Sequence, residues 1–138
     1  MLLTNIFIFF SVCHCNTISL TLTNAVPQQL RVGTYKKAGK KNQKTLWSSH
    51  SQSIWYSPAL GEWLVGKTED SGTTSAGLFT DGKLGFSSCP YDSDASPWKY
   101  YNSNNVEKDA KIDDNNWIVD DNNAVSITCT EGNIYTVV

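Results

Sequence analysis

No stretch of twelve residues in this chain carries apolar side chains at helical spacing; its apolar residues alternate with polar ones at period two. That pattern restricts the fold to strands with one face turned inward. Residues 16–24 place Ile18, Leu20 and Leu22 on one face of a strand, and Gln29 to Tyr35 continues extended. Ser53–Ser57 and Glu62–Val65 flank Pro58-Ala59-Leu60-Gly61, where proline and glycine supply the dihedrals of a reversal. Gly77–Thr80 turns at Asp81-Gly82 into Lys83–Phe86, a strong two-residue hairpin signal that sets Phe86 over Gly77. Trp98–Tyr101, Trp117–Val119, Val125–Cys129 and Ile134–Val138 read as further strands. Ala38–Lys44 reads as a polar loop and Asn102–Asn116 as a long exposed excursion. The expected fold is all-β: a small, mostly antiparallel sheet or sandwich of hairpins with one disulfide.

That single disulfide follows from the N-terminus. Met1–Cys15 has the outline of a secretory signal peptide, with Leu2-Leu3, an apolar run from Ile6 to Phe10, and short residues at Cys13 and Cys15. Cleavage after Cys15 leaves residues 16–138 as one secreted, extracellular domain. It leaves Cys89 and Cys129 as the remaining cysteines, which then pair with each other in an oxidising compartment. The apolar run is too short to span a membrane.

Charge is nearly balanced, at −2, but unevenly placed. Lys36, Lys37, Lys40, Lys41 and Lys44 follow Arg31 with no acidic residue among them, and every acid lies at Glu62 or beyond. The lysine segment is a candidate surface for polyanions such as sulfated glycans or anionic membranes, with a solvated loop as its plainer reading. Nothing in the chain points to nucleic acid.

Catalytic chemistry has few carriers. Signal removal leaves His50 as the one histidine, in a serine-rich turn, and a small hydrolase would need it beside a serine, or a pair of carboxylates. No cofactor is called for, and one His with no free Cys gives no zinc site. Asp92-Ser93-Asp94, Asp113-Asp114-Asn115 and Asp120–Asn123 are oxygen-rich enough for calcium, but their composition is that of turns, so no metal is assigned. Trp55-Tyr56 and Tyr100-Tyr101 are neighbours in strands, so one ring of each pair must leave the core face. These four are the candidate partner-binding residues of a non-enzymatic recognition domain, whose partner is an extracellular protein or glycan.

Read from residue 33 to residue 129, the order Gly-Thr-Tyr, Ile54-Trp55-Tyr56, Glu62-Trp63-Leu64-Val65-Gly66, Cys89-Pro90, Trp98-Lys99-Tyr100-Tyr101, Trp117 with Asp120, and Val125–Cys129 resembles a small Trp/Tyr-rich extracellular module. That module, with one disulfide, recurs in secreted and cell-surface invertebrate proteins. The resemblance implies the β fold and the disulfide rather than an activity. The excursion at 102–116 is longer than the pattern needs.

Overall fold

The computed structural model describes residues 11–80, 89–92, 95, 97–103, 108–131 and 135–137. Its strands are β1 (Ser11–Cys13), β2 (Thr17–Leu22), β3 (Gly33–Lys41), β4 (Lys44–Ser48), β5 (Gln52–Ser57), β6 (Glu62–Lys67), β7 (Ser75–Ala76), β8 (Leu78–Thr80), β9 (Trp98–Tyr101), β10 (Ala110–Lys111), β11 (Trp117–Val119), β12 (Val125–Cys129) and β13 (Tyr135–Val137). Nine of them form one antiparallel sheet in the order β11-β9-β8-β6-β5-β4-β3-β2-β12. The all-β expectation holds.

The sheet has to curl. β11 and β12 lie at opposite edges, yet residues 120–124 alone join them. Laid flat, nine strands would hold their outer members about 38 Å apart, whereas that link reaches about 20 Å at most. Hydrogen bonds anchor the link on both sides: the Asp120 N–H donates to the Trp98 carbonyl (2.8 Å), and the Ala124 carbonyl accepts from the Thr23 N–H (2.9 Å). The Asp120 carboxylate accepts the N–H groups of Asn122, Ala124 and Val125 at 2.8–3.3 Å, which holds the link bent.

Alternation then sorts the side chains. Ile18, Leu20, Trp47, Ile54, Trp63 and Leu78 are among the buried residues of the inner core, where the Trp47 and Trp63 rings lie 5.8 Å apart. A second, smaller core sits on the outer face, built from Trp55, Leu64, Ala76 and Phe79 with Leu46, Ile112 and Trp117 against them. Residues 68–76 and 108–116 cover it and pair with each other as β7 and β10 through Ala76 with Ala110 and Ser75 with Lys111. The excursion at 102–116 is thus in part a lid rather than a free loop.

The β2–β3 connection closes one end of the curled sheet as a plug. It contains a 3-10 turn at Gln29–Arg31 and buries Val26, Gln28 and Arg31. Arg31 is the centre of a hydrogen-bond network: Nε donates to Gln28 Oε1 (2.7 Å), Nη1 to Gln52 Oε1, and Nη2 to Asp109 Oδ1 (2.6 Å). Both side chains of the Arg31–Asp109 pair are essentially inaccessible, at 0% and 1% exposure. The guanidinium lies on Gly77, where a Cβ would fall 2.0 Å from Nε. Gly77 is therefore covered by Arg31; the expected cover, Phe86, and the Asp81-Gly82 turn lie outside the described residues.

Besides the 3-10 turn at Gln29–Arg31, where the sequence reads as extended, two expectations are corrected here. Ala38–Lys44 is not a loop: β3 and β4 form a hairpin with a bulge between Lys37 and Gly39. Asn42 and Gln43, with φ of 52° and 67°, make its tip. The tip lacks the Asn-Gly or Asp-Gly pair that marks such turns in a sequence, and Asn42 compensates by donating its Nδ2 to the Tyr56 carbonyl (3.0 Å).

The second correction concerns the cysteines. Cys89 and Cys129 do not pair with each other; the bonds are Cys13–Cys89 and Cys15–Cys129, with Cα separations of 5.7 and 5.8 Å. In an extended Cys-x-Cys segment both sulfurs point to one side, so residues 13 and 15 serve two partners within the inner core. Their carbonyls also accept from Thr45 Oγ1 (3.3 Å) and Trp47 Nε1 (2.7 Å). A cut after Cys15 would remove both bonds and leave the Trp47 donor buried without a partner. The apolar run at 6–10, on which the leader expectation rests, lies outside the described residues.

Two measurements test this architecture. Non-reducing peptide mapping of the native protein should recover Cys13–Cys89 and Cys15–Cys129 and no Cys89–Cys129 peptide. Gly77→Ala should lower the unfolding free energy in urea about as much as Arg31→Met, each by about 3 kcal/mol or more, because displacing or removing the guanidinium strands the buried Asp109 charge. The double variant should fall well short of additive, since both changes act on one guanidinium.

Candidate functional site

The lid leaves a cleft at its margin. It is about 580 Å³ in volume and lined by Ser75, Tyr101, Ser103, Lys108, Asp109, Ala110, Lys111, Asp113 and Asp114. Tyr101 is placed there by register: β11 pairs with β9 so that Trp117 faces Tyr101, on the outer side of the sheet. The two rings meet edge to face at 5.2 Å, and Trp117 meets Phe79 in the same way at 4.7 Å. The Tyr101 ring is thus the outermost member of an aromatic row whose inner members are packed, and it remains half-buried. Its hydroxyl donates to Asp114 Oδ2 (3.2 Å).

The walls are tied to the plug. Gln28 Nε2 donates to the carbonyls of both Tyr101 (3.0 Å) and Ser103 (2.9 Å). Asp109 closes the back, giving Oδ1 to Arg31 and accepting the Lys67 N–H on Oδ2 (2.8 Å). Gly66 makes room for it, because a Cβ there would lie 2.6 Å from Asp109 Oδ2. Burial pushes the Asp109 carboxyl up to about 6, with the Arg31 guanidinium pulling the other way. Lys108, Lys111, Asp113 and Asp114 stand exposed around the mouth. The cleft therefore presents a ring, hydroxyls, amines and carboxylates within one concavity. Asp109 is fully engaged, and Asp114 already accepts from Tyr101 and from the Asn116 N–H (2.9 Å).

The other expected site residues scatter. Trp55 is fully buried beneath the lid, its Nε1 donating to the Thr73 carbonyl (3.1 Å). Tyr56 is buried in the inner core, and Tyr100 is half-buried against it. Trp55 and Tyr56 are therefore not available to a partner, because both faces of this sheet carry cores. Lys36, Lys37, Lys40 and Lys41 are exposed on the β3–β4 hairpin. Lys44, opposite Lys41 in the register, differs in being half-buried, with its Nζ 4.6 Å from the Tyr56 ring centre. Burial lowers the Lys44 pKa, and burial followed by the nearby Glu62 charge raises that of Tyr56.

His50 is exposed at the β4–β5 turn and, among the described residues, hydrogen-bonds to no serine or carboxylate. Carboxylates of the Asp/Asn segments accept backbone N–H groups: Asp120 and Asp114 as above, and Asp92 from Cys89 (2.6 Å). Among the described residues, the one cluster of metal-ligating atoms is Cys15, Cys129 and Glu131. Its sulfurs are bonded to each other and carry no proton, so the Glu131 carboxylate at 3.1 and 3.3 Å from them is a contact rather than a hydrogen bond.

Sequence reasoning missed Ser75, Ser103, Lys108 and Lys111, and treated Asp109 as one acid among many. The available signal was the alternation of Ala110 and Ile112 with charged residues inside a polar stretch, the mark of a short strand with one covered face. Compared with protein-family models, with curated proteins and with solved structures, the chain matches none.

Proposed function

We propose that this chain is a non-catalytic recognition domain of an extracellular, oxidising compartment, and that it takes one or two sugar rings of a glycan in the Tyr101 cleft. The observation that carries the reading is the half-buried Tyr101 ring at the mouth of a concavity lined by hydroxyls, carboxylates and lysines. A sugar offers an apolar ring face and a rim of hydroxyls. Tyr101 suits the first, and Asp113, Asp114, Lys108 and Lys111 suit the second. A volume near 580 Å³ suits a short polar ligand better than a protein surface, since specific protein partners cover about 800 Å² on each side. The setting is supported by two disulfides, with no free cysteine among the described residues, and by the absence there of any helix long and apolar enough to cross a membrane.

The test is a glycan array followed by titration of the best hit. Tyr101→Ala should weaken binding by about 30-fold or more, the effect of losing a central aromatic anchor. Tyr101→Phe keeps the ring on Trp117 and should retain most of the affinity, which separates ring stacking from collapse of the lid. Binding should change little between low and high salt. Unchanged affinity in Tyr101→Ala, with folding intact by thermal melt, overturns the assignment.

A further inference from the structure

Charge in this chain is segregated by the fold. Residues 1–61 contain no acid, and the thirteen acids begin at Glu62. In the sheet, β2, β3, β4 and β5 are consecutive neighbours, and beyond β2 lies β12, whose sequence Val-Ser-Ile-Thr-Cys is also free of acids. None of these five adjacent strands contains an acid; the carboxylate beside them is that of Glu131, just past β12, which accepts the Thr17 N–H at 3.4 Å. Arg31 is buried in its pair with Asp109, and Lys44 is half-buried over Tyr56. The strand charge that reaches solvent on this flank is that of Lys36, Lys37, Lys40 and Lys41, all on β3. Among the described residues none of the four forms an ion pair.

These lysines are held in a defined array. The Asn42–Gln43 tip is tied to Tyr56, and the Lys41 stem lies on Gly72, where a Cβ would fall 2.4 Å from its Cε. From Lys36 to Lys41 the strand covers about 17 Å. The register sets Lys37 and Lys40 on the face of Trp47 and Thr45, and Lys36 and Lys41 on the face of Ser48 and Lys44. Four lysines on one strand, with no acid in the strands on either side of it, draw a concentrated counterion layer that a polyanion displaces.

We propose that the β3–β4 hairpin is a docking site for a linear sulfated polysaccharide, separate from the Tyr101 cleft and independent of its ligand. The two-faced placement of the lysines selects this partner. A bilayer is planar and meets one face of a ribbon at a time, whereas a flexible chain with closely spaced sulfates reaches both faces by crossing the hairpin.

The test uses the full chain with heparin as the probe, desulfated heparin as a control, and phosphatidylcholine vesicles containing phosphatidylserine as the lipid arm. At about 0.15 M salt heparin should bind, desulfated heparin should not, and vesicles should bind far more weakly. The Lys36→Ala/Lys37→Ala/Lys40→Ala variant should lose affinity on the order of tenfold or more, with an unchanged thermal melt because the three side chains are exposed. Lys108→Ala/Lys111→Ala and Tyr101→Ala, both at the cleft, should leave heparin binding as it was. Equal binding by the triple-lysine variant, a loss on changing the cleft instead, or binding to vesicles in preference to heparin each overturns the proposal.

Discussion

A single buried guanidinium organises this fold. Arg31 reaches residues on the plug (Gln28), on β5 (Gln52), on the lid (Asp109) and on the strand edge at Gly77. No apolar side chain could satisfy acceptors on so many elements at once. The arrangement costs desolvation, which the Asp109 charge and the two glutamine acceptors offset. In return it fixes the relation between the sheet's open end, the plug that fills it and the ribbon that covers the outer core. The cleft at Tyr101 inherits its shape from this network, since Asp109 forms its back wall and Gln28 holds the backbone beneath it.

The two cores show why the surface carries so little exposed aromatic area. The strands β5, β6 and β8 each send one residue inward and the next outward, and both directions end in packing. What escapes is the margin: Tyr101 at the edge of the lid, Leu30 and Val32 on the outside of the plug, 72% and 41% exposed, and Ile118 and Val119 on the edge strand, 36% and 43% exposed. A sheet covered on both faces leaves its rims and hairpins as the accessible surface. That agrees with where the cleft and the lysines lie.

Much of the architecture is legible in the sequence because period-two alternation states the strand face directly. The strands at Thr17–Leu22, Gln52–Ser57, Glu62–Lys67, Trp98–Tyr101 and Val125–Cys129 all fall where alternation places them. The hairpin at Lys36–Lys44 is hidden by its composition: lysine and glycine say loop, and the turn is set by Asn42 bonding to a distant strand. The cysteine pairing is hidden for another reason. An apolar N-terminus followed by small residues is the same text whether it is a leader or a segment pinned to the core. The choice depends on partners 76 and 114 residues away. Arg31 was equally opaque, because its acceptors Gln28, Gln52 and Asp109 come together only after the sheet has curled.

The neighbours β2 and β12 have a consequence for how the chain must be made. Strands more than a hundred residues apart in the chain lie side by side, and the sulfurs of Cys13 and Cys15 wait for partners made much later. During synthesis β2 has β3 on one side and an unpaired row of backbone donors and acceptors on the other until residue 129 arrives. Contacts of such large sequence separation form slowly, and an open edge beside two waiting thiols is the form of this protein most exposed to mispairing and aggregation. The short, acid-free early strands carry their lysines through that interval. Mutual repulsion between copies would then protect the unfinished sheet before β12 can pair with β2.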